Sequence, residues 1–114
     1  MRRIVKIPEL ESMLKSGNRS NRYVEHDNIL IYVRVTERLI GREITRTLDI
    51  ANIQVAEGFQ NRGLFKKFLQ YAEKLAKECE RTVYIESVLN PILAEKLPSY
   101  GYLTLPHNNF YKTP

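Results

Sequence analysis

The chain has 114 residues, 43% of them apolar, and its 18 basic and 13 acidic residues give a formal net charge of +5. This length fits a single domain, residues 1–114, with one modest core. No run approaches the ~18 consecutive apolar residues of a membrane span, and the N-terminus lacks the apolar region of a signal peptide. A single cysteine excludes an internal disulfide and predicts a cytoplasmic protein, and one Cys with two distant His argues against zinc.

The N-terminal part predicts a strand, a helix and a loop. Residues 2–7 are typical of a short strand, and Pro8 then suits the first turn of a helix. The apolar face of this helix is formed by Leu10, Met13 and Leu14. A polar cluster at 16–21 ends the helix, so we expect residues 16–28 to form a loop.

Two β-rich segments follow, and they predict an antiparallel hairpin. They cover residues 29–35 and 44–55, with Gly41 at the turn between them. The apolar residues of the second segment change phase, from even positions (Leu48, Ile50) to odd positions (Ile53, Val55). Because side chains of a regular strand alternate between faces, all four can share one face only across a β-bulge, expected near residues 51–52.

The second half of the chain predicts a helix, a strand, a short helix and a strand pair. Apolar residues recur with the 3.6-residue period of a helix from Leu64 to Cys79, which predicts that Cys79 is a core residue. The strand expected at 82–88 should lie parallel to the strand before the helix. Asn90 followed by proline predicts the start of a helix that Pro98 limits, and the terminal aromatic residues predict a final strand pair.

The join between strand and helix around Gly63 has the layout of an anion site. Amides in the first turn of a helix lack intrahelical partners and carry partial positive charge, so they bind phosphate groups. No GxxxxGK[ST] loop, GxGxxG fingerprint or GxSxG elbow occurs in the sequence, so phosphate binding here needs a different type of loop.

The residues around this join resemble the GCN5-related N-acetyltransferase (GNAT) superfamily. Its Q/R-x-x-G-x-G/A motif corresponds to Gln60 through Phe65, with Phe65 at the position of the last Gly or Ala. Its second motif, an Asn followed by a Gly-aromatic pair, corresponds to Asn90 with Gly101 and Tyr102. The resemblance covers roughly residues 44–111. It implies an α/β (α+β) fold: a mostly antiparallel central sheet with helices on both faces and one parallel βαβ crossover.

The resemblance implies acetyl-CoA as the acetyl donor and an amine as the acceptor. The residues implied in cofactor binding are Val55, Gln60, Asn61, Arg62, Gly63, Leu64, Phe65, Lys66 and Asn90. Amides of residues 61–65 would hold the pyrophosphate, the Val55 amide would stabilise the thioester oxygen, and Asn90 would contact the pantetheine arm. Arg62 and Lys66 carry charges that suit phosphate, although a solvated helix face explains Lys66 equally well.

The expected catalytic residues are Asp49, Glu86 and Tyr100. Asp49 stands eleven positions before Gln60, where the histone-acetylating branch carries its catalytic Glu, and Glu86 on the neighbouring strand is the second candidate base. Many members carry a tyrosine that protonates the departing thiolate at the position of Leu97, so Tyr100, Tyr84 or water would take this role. The alternative for each carboxylate is a surface position or a salt bridge, without a catalytic role.

The acceptor of the acetyl group is either an amine of a protein, at a lysine or the N-terminus, or a small amine. A second hypothesis is a catalytically degenerate GNAT-fold module that binds CoA or a protein partner, as Phe65 and Leu97 suggest. A nucleic-acid-binding domain ranks last, because the basic residues are scattered and mixed with acids. Neither the oligomeric state nor the biological process follows from the sequence.

Overall fold

The computed structural model of the protein describes residues 6–26, 29–55, 63–88 and 90–114. The helices are α1 (Pro8–Ser16), α2 (Leu64–Glu78) and α3 (Pro91–Lys96), with short 3₁₀ segments at Leu97–Tyr100 and Pro106–Asn108. The strands are β1 (Ser20–His26), β2 (Ile29–Ile40), β3 (Glu43–Val55), β4 (Thr82–Ile85), β5 (Leu103–Leu105) and β6 (Asn109–Lys112). No helix in these ranges is long and apolar enough to cross a membrane.

The described strands form one mixed sheet in the order β1-β2-β3-β4-β6-β5. Neighbours pair antiparallel except β3 and β4, which run parallel, with residues 47–50 opposite residues 82–85. Helix α2 connects these two parallel strands, since a parallel pair cannot be joined by a tight turn. The predicted mixed fold, mostly antiparallel with a single parallel crossover, is therefore confirmed.

The helices pack against one face of the sheet. The side chains of Leu48 and Ile50 point into this core with the apolar faces of α1 and α2. The hydroxyl of Tyr71 on α2 accepts a hydrogen bond from the Ile7 amide at 2.9 Å, so α1 and α2 lie side by side. Leu93 and Ala94 of α3 pack against the same core. The resemblance implies helices on both faces, whereas all three helices of the described ranges contact this one core.

The β2–β3 hairpin contains both features expected from the sequence. Gly41 turns the chain with φ 63°, a left-handed conformation in which a side chain is strained. The pairing register shifts between Leu30 and Tyr32, so β3 carries one extra residue near Asn52, whose φ is 47°. Beyond this bulge Ile53 packs against the core again. The predicted bulge is confirmed, and it keeps the apolar residues of β3 on one face.

Several boundaries differ from the expectations; β2, for example, runs to Ile40 instead of ending at residue 35. The segment expected to be a loop contains strand β1, whose alternation is hard to recognise because Val24 is the buried apolar residue of an otherwise polar strand. The strand expected at 82–88 ends at Ile85. Of the strand expected at 2–7, residues 1–5 lie outside the described ranges, and residues 6–7 are not in a strand. Cys79 is half-buried against the core, as expected.

Candidate active site

The parallel strands β3 and β4 separate at one end of the sheet. Their register ends at Ile50 and Ile85, and the Glu86 amide makes the last cross-strand contact, donating to the Ile50 carbonyl at 3.0 Å. Just beyond, Asn52 and Ser87 both have positive φ, 47° and 50°. Among the described residues, no strand pairs with the β4-facing edge of residues 51–55. An extended ligand can therefore hydrogen-bond to this edge as an added strand would.

The first turn of α2 lies at the same end of the sheet, because α2 follows β3 in the chain. Gly63 caps the helix with φ 70°, and its carbonyl accepts from the Lys67 amide at 3.1 Å. The amides of Leu64, Phe65 and Lys66 thus have no acceptor within the helix. Part of the predicted cofactor site lies outside the described residues, namely Gln60, Asn61, Arg62 and the side chain of Val55.

The start of α3 is set by Asn90. Its Oδ1 accepts hydrogen bonds from the amides of Ile92 at 2.9 Å and Leu93 at 3.3 Å, which is the geometry of an N-cap. The Asn90 side-chain NH₂ donates to none of the described residues. A capping role and contact with a ligand through Nδ2 are therefore compatible.

Tyr100 lies beside the first turn of α2. The Lys66 Nζ is 5.2 Å from the centroid of the Tyr100 ring, within range of a cation–π contact. Leu97, one turn earlier, is fully buried in the core. The fold thus brings one of the predicted tyrosines next to the predicted phosphate cradle, while the position that usually carries a tyrosine has a packing role.

Asp49 and Glu86 lie on the opposite face of the sheet and share two arginines. Asp49 is fully buried and accepts from Arg38 Nε at 2.8 Å and from the Thr47 hydroxyl at 2.7 Å, with Arg34 Nε at 3.4 Å. Glu86, whose side chain is 32% exposed, pairs with Arg34 and lies 3.5 Å from Arg38 Nη2. The two predicted bases therefore belong to one charge cluster, but only Glu86 is open to solvent.

The environment of this cluster raises the pKa values of Arg38 and Tyr84. Burial lowers the pKa of Arg38, but the hydrogen bond and charge of Asp49 outweigh it, and the net pKa is raised. Burial raises the pKa of Tyr84, whose ring lies 4.2 Å from the Arg38 guanidinium carbon. Tyr84 is therefore neutral at physiological pH.

The sequence interpretation missed Arg34 and Arg38. Their spacing of four along β2 puts both side chains on the face away from the core, and the register then sets Arg34 directly opposite Asp49. The even spacing is visible in the sequence, but the pairing that brings the arginines to the carboxylates is not.

The comparisons with known proteins concern the fold. No protein-family model and no curated protein matches the sequence. A solved tyrosine-to-phenylalanine mutant of the AtaT toxin, bound to the C-terminus of the antitoxin AtaR and acetyl-CoA, matches with a TM-score of 0.60 at 10% identity. This match covers 75% of the present chain and 57% of the AtaT chain, so the present chain spans less than two thirds of AtaT.

Two further solved structures match over most of the chain. The KacTA–DNA complex has a TM-score of 0.62 at 9% identity, covering 93% of this chain and 79% of the other. A tyrosine-to-phenylalanine mutant of KacT has a TM-score of 0.59 at 8% identity, covering 90% and 75%. These likenesses show that the chain has a GNAT-like fold.

Proposed function

We propose that the protein is an acetyl-CoA-dependent N-acetyltransferase that acts on an amine of a protein or a small molecule. The observation that carries this proposal is the separation of β3 and β4 directly beyond Ile50 and Ile85, with the first turn of α2 at the same end. Among the described residues, one opening thus combines an unpaired strand edge with helix amides that lack acceptors within the helix. The AtaT structure, which contains acetyl-CoA on a similar fold, supports this ligand.

The described residues have complementary roles in binding the cofactor. The amides of Leu64, Phe65 and Lys66 would hold the pyrophosphate, and the Lys66 ammonium would add a charge-assisted contact. The edge of β3 up to Val55 would hydrogen-bond to the pantetheine arm, together with Asn90 Nδ2. Acetyl-CoA, when bound, would supply the acetyl group as a thioester that an amine can attack.

The attacking amine must lose a proton, and Glu86 is the carboxylate that we propose to receive it. A lysine amine with a pKa of ~10.4 is neutral only about once in ~2,500 molecules at pH 7, so a base increases the reactive fraction. Asp49 holds the position implied by the family resemblance, but its burial and its bonds to Arg38 and Thr47 favour a positioning role. Tyr100, beside Lys66, is proposed to protonate the departing sulfur.

Calorimetry and a thiol-release assay test the proposal. We expect saturable binding of acetyl-CoA, and release of CoA thiol above background when lysine peptides or small amines are added. Lys66→Ala should weaken acetyl-CoA binding about threefold, since one partly exposed charge contact is lost. Lys15→Ala, at the end of α1, is the matched control and should have no effect. Failure to bind acetyl-CoA at all would refute the proposal.

The two carboxylates should respond differently to neutralisation. Asp49→Asn should lower the free energy of unfolding by about 2–3 kcal/mol, because two guanidinium groups lose a buried partner. Glu86→Gln should cost under about 1 kcal/mol, because its pairs are partly exposed, while lowering kcat about 100-fold.

Urea unfolding gives the stabilities, and the thiol-release assay gives kcat. A stable Asp49→Asn protein without activity, together with an active Glu86→Gln protein, would return the role of base to Asp49.

A binding module without catalysis is the alternative that buried Leu97 supports, since the usual acid is missing. It predicts acetyl-CoA binding without CoA release for any amine. A protein partner fits both functions, because AtaT was solved with a segment of its antitoxin AtaR.

A further inference from the structure

A cavity separate from the cleft between β3 and β4 lies at the other end of α2, away from Gly63. Its volume is about 390 Å³, and its walls come from the C-terminal half of α2, Arg81, β4, the end of β6 and the residues Thr113 and Pro114. This size falls within the range of small-molecule sites, about 300–1,000 Å³. The cavity shares no lining residue with the cleft between β3 and β4, so it is independent of the proposed acetyltransferase site.

The charge of this cavity is strongly positive. Its walls carry Lys74, Lys77, Arg81 and Lys112 against one acidic side chain, Glu73. That carboxylate is already engaged, because it accepts from the Tyr102 hydroxyl at 2.8 Å and from Lys112 Nζ at 3.3 Å. Three cations, Lys74, Lys77 and Arg81, therefore have no acidic side chain as a partner in the lining.

Arg81 is a buried cation without a carboxylate. The residue is 3% exposed, and its Nη1 donates to the carbonyls of Thr36 and Thr47, both at 3.1 Å. Its Nε is buried without a hydrogen-bond partner, and within the described residues no carboxylate lies within 4 Å. Glu37, whose charge reaches Arg81 from further away, pairs with Arg19 at 3.4 Å.

A buried charge that lacks a counter-ion is unfavourable, and an anion in the cavity would remove that cost. Burial lowers the pKa of Arg81, and the neighbouring positive charge of Arg46 lowers it further. The first cause is the lost hydration of the guanidinium, and the second is a positive charge nearby. Arginine with two lysines is a donor set that suits the oxygens of phosphate.

We infer that this cavity binds the phosphate group of a small phosphorylated molecule, through Arg81 with Lys74 and Lys77. Phosphate would bring the negative charge that Arg81 lacks, and the remaining volume would take the group esterified to it. The exposed lysines at the rim would attract the anion, and the buried guanidinium would be its fixed partner.

Backbone amide NMR with inorganic phosphate tests this inference, with chloride at equal ionic strength as the reference. We expect saturable shifts around Lys74, Lys77 and Arg81. A nucleoside monophosphate is the second probe, and it distinguishes a phosphoester ligand from free phosphate. Tighter binding indicates a phosphoester ligand, and equal binding indicates free phosphate; both outcomes support the site.

Variants locate the binding. Lys74→Ala with Lys77→Ala, both on the exposed face of α2, should weaken phosphate binding about tenfold without unfolding the chain. Lys15→Ala, at the end of α1 and in neither proposed site, is the control and should leave it unchanged. The inference is overturned if shifts do not saturate, if they are confined to residues 64–66, or if only Lys66→Ala weakens binding.

Discussion

At the scale of single residues, the candidate site depends on partners that lie far away in the sequence. Arg34 and Arg38 on β2 each approach both Asp49 and Glu86. Because Asp49 is fully buried, the two arginines tie it into the sheet, whereas Glu86 keeps a face open to solvent. Two carboxylates of the same chemistry thus differ in what they can contact.

Tyr71 is a residue whose ionisation should affect stability. Burial and a hydrogen bond to Glu11 raise the pKa of its hydroxyl to about 12, from the ordinary value of 10. The neutral hydroxyl is therefore favoured by folding. Its contribution is complete below about pH 10 and is lost as the pH rises towards about 12.

Tyr71→Phe tests this pH dependence. At pH 8 the variant should be less stable by about 1–2 kcal/mol, because the Ile7 amide loses its acceptor. Urea unfolding should show this difference shrinking between about pH 10 and pH 12. Tyr23→Phe is the control, because Tyr23 is exposed and lies outside the core. A stability difference for Tyr71→Phe that stays constant up to pH 12 would contradict the raised pKa of Tyr71.

At the scale of elements, two helix starts define the cleft. The α2 start uses glycine at φ 70°, which has no side chain to cap the first-turn amides, and no other residue in the described ranges caps them. The α3 start uses the Asn90 side chain as its cap. One helix start therefore offers its amides to a ligand, while the other satisfies its own amides and can offer Asn90 Nδ2.

Two substitutions separate the roles of Asn90. Asn90→Asp keeps an oxygen for the cap and removes the Nδ2 donor, so stability should be retained while acetyl-CoA affinity falls about fivefold. Asn90→Ala should lose the same affinity and also about 1 kcal/mol of stability. Calorimetry and thermal unfolding measure the two effects. Unchanged acetyl-CoA affinity in Asn90→Asp would limit Asn90 to capping.

At the scale of the whole molecule, the sheet has two structurally different ends. At one end β3 and β4 part beside the starts of α2 and α3. At the other end the β2–β3 hairpin extends past the last partners of β1 and β4, and it exposes Leu39 and Ile44. A ligand at the cleft should leave this distal arm unaffected.

Hydrogen exchange measures this difference across the molecule. Saturating acetyl-CoA should slow exchange at residues 51–55 and 64–66, since their amides are the proposed hydrogen-bond donors to the ligand. The hairpin arm, residues 36–46, serves as the internal control and should not change. Protection confined to the arm would move the binding site to the opposite end of the sheet.

The sequence by itself determined the features that depend on neighbouring residues. The 3.6-residue period predicted α2, the Asn90-proline pair predicted α3, and the phase change of β3 predicted the bulge at Asn52. Each follows from steric and hydrogen-bonding preferences within about a dozen residues. The sequence resemblance added a mostly antiparallel sheet with one parallel crossover, which the strand pairing confirms.

The tertiary structure decided which side chains meet. Strand β1 is stabilised by pairing with β2, although its own sequence is mostly polar. The burial of Asp49 between Arg34 and Arg38, and the isolation of Arg81, follow from the register of β2, β3 and β4. Alternation along a strand fixes the face of a side chain, but its partner depends on which strand pairs alongside, and that is set by the packing of the whole sheet.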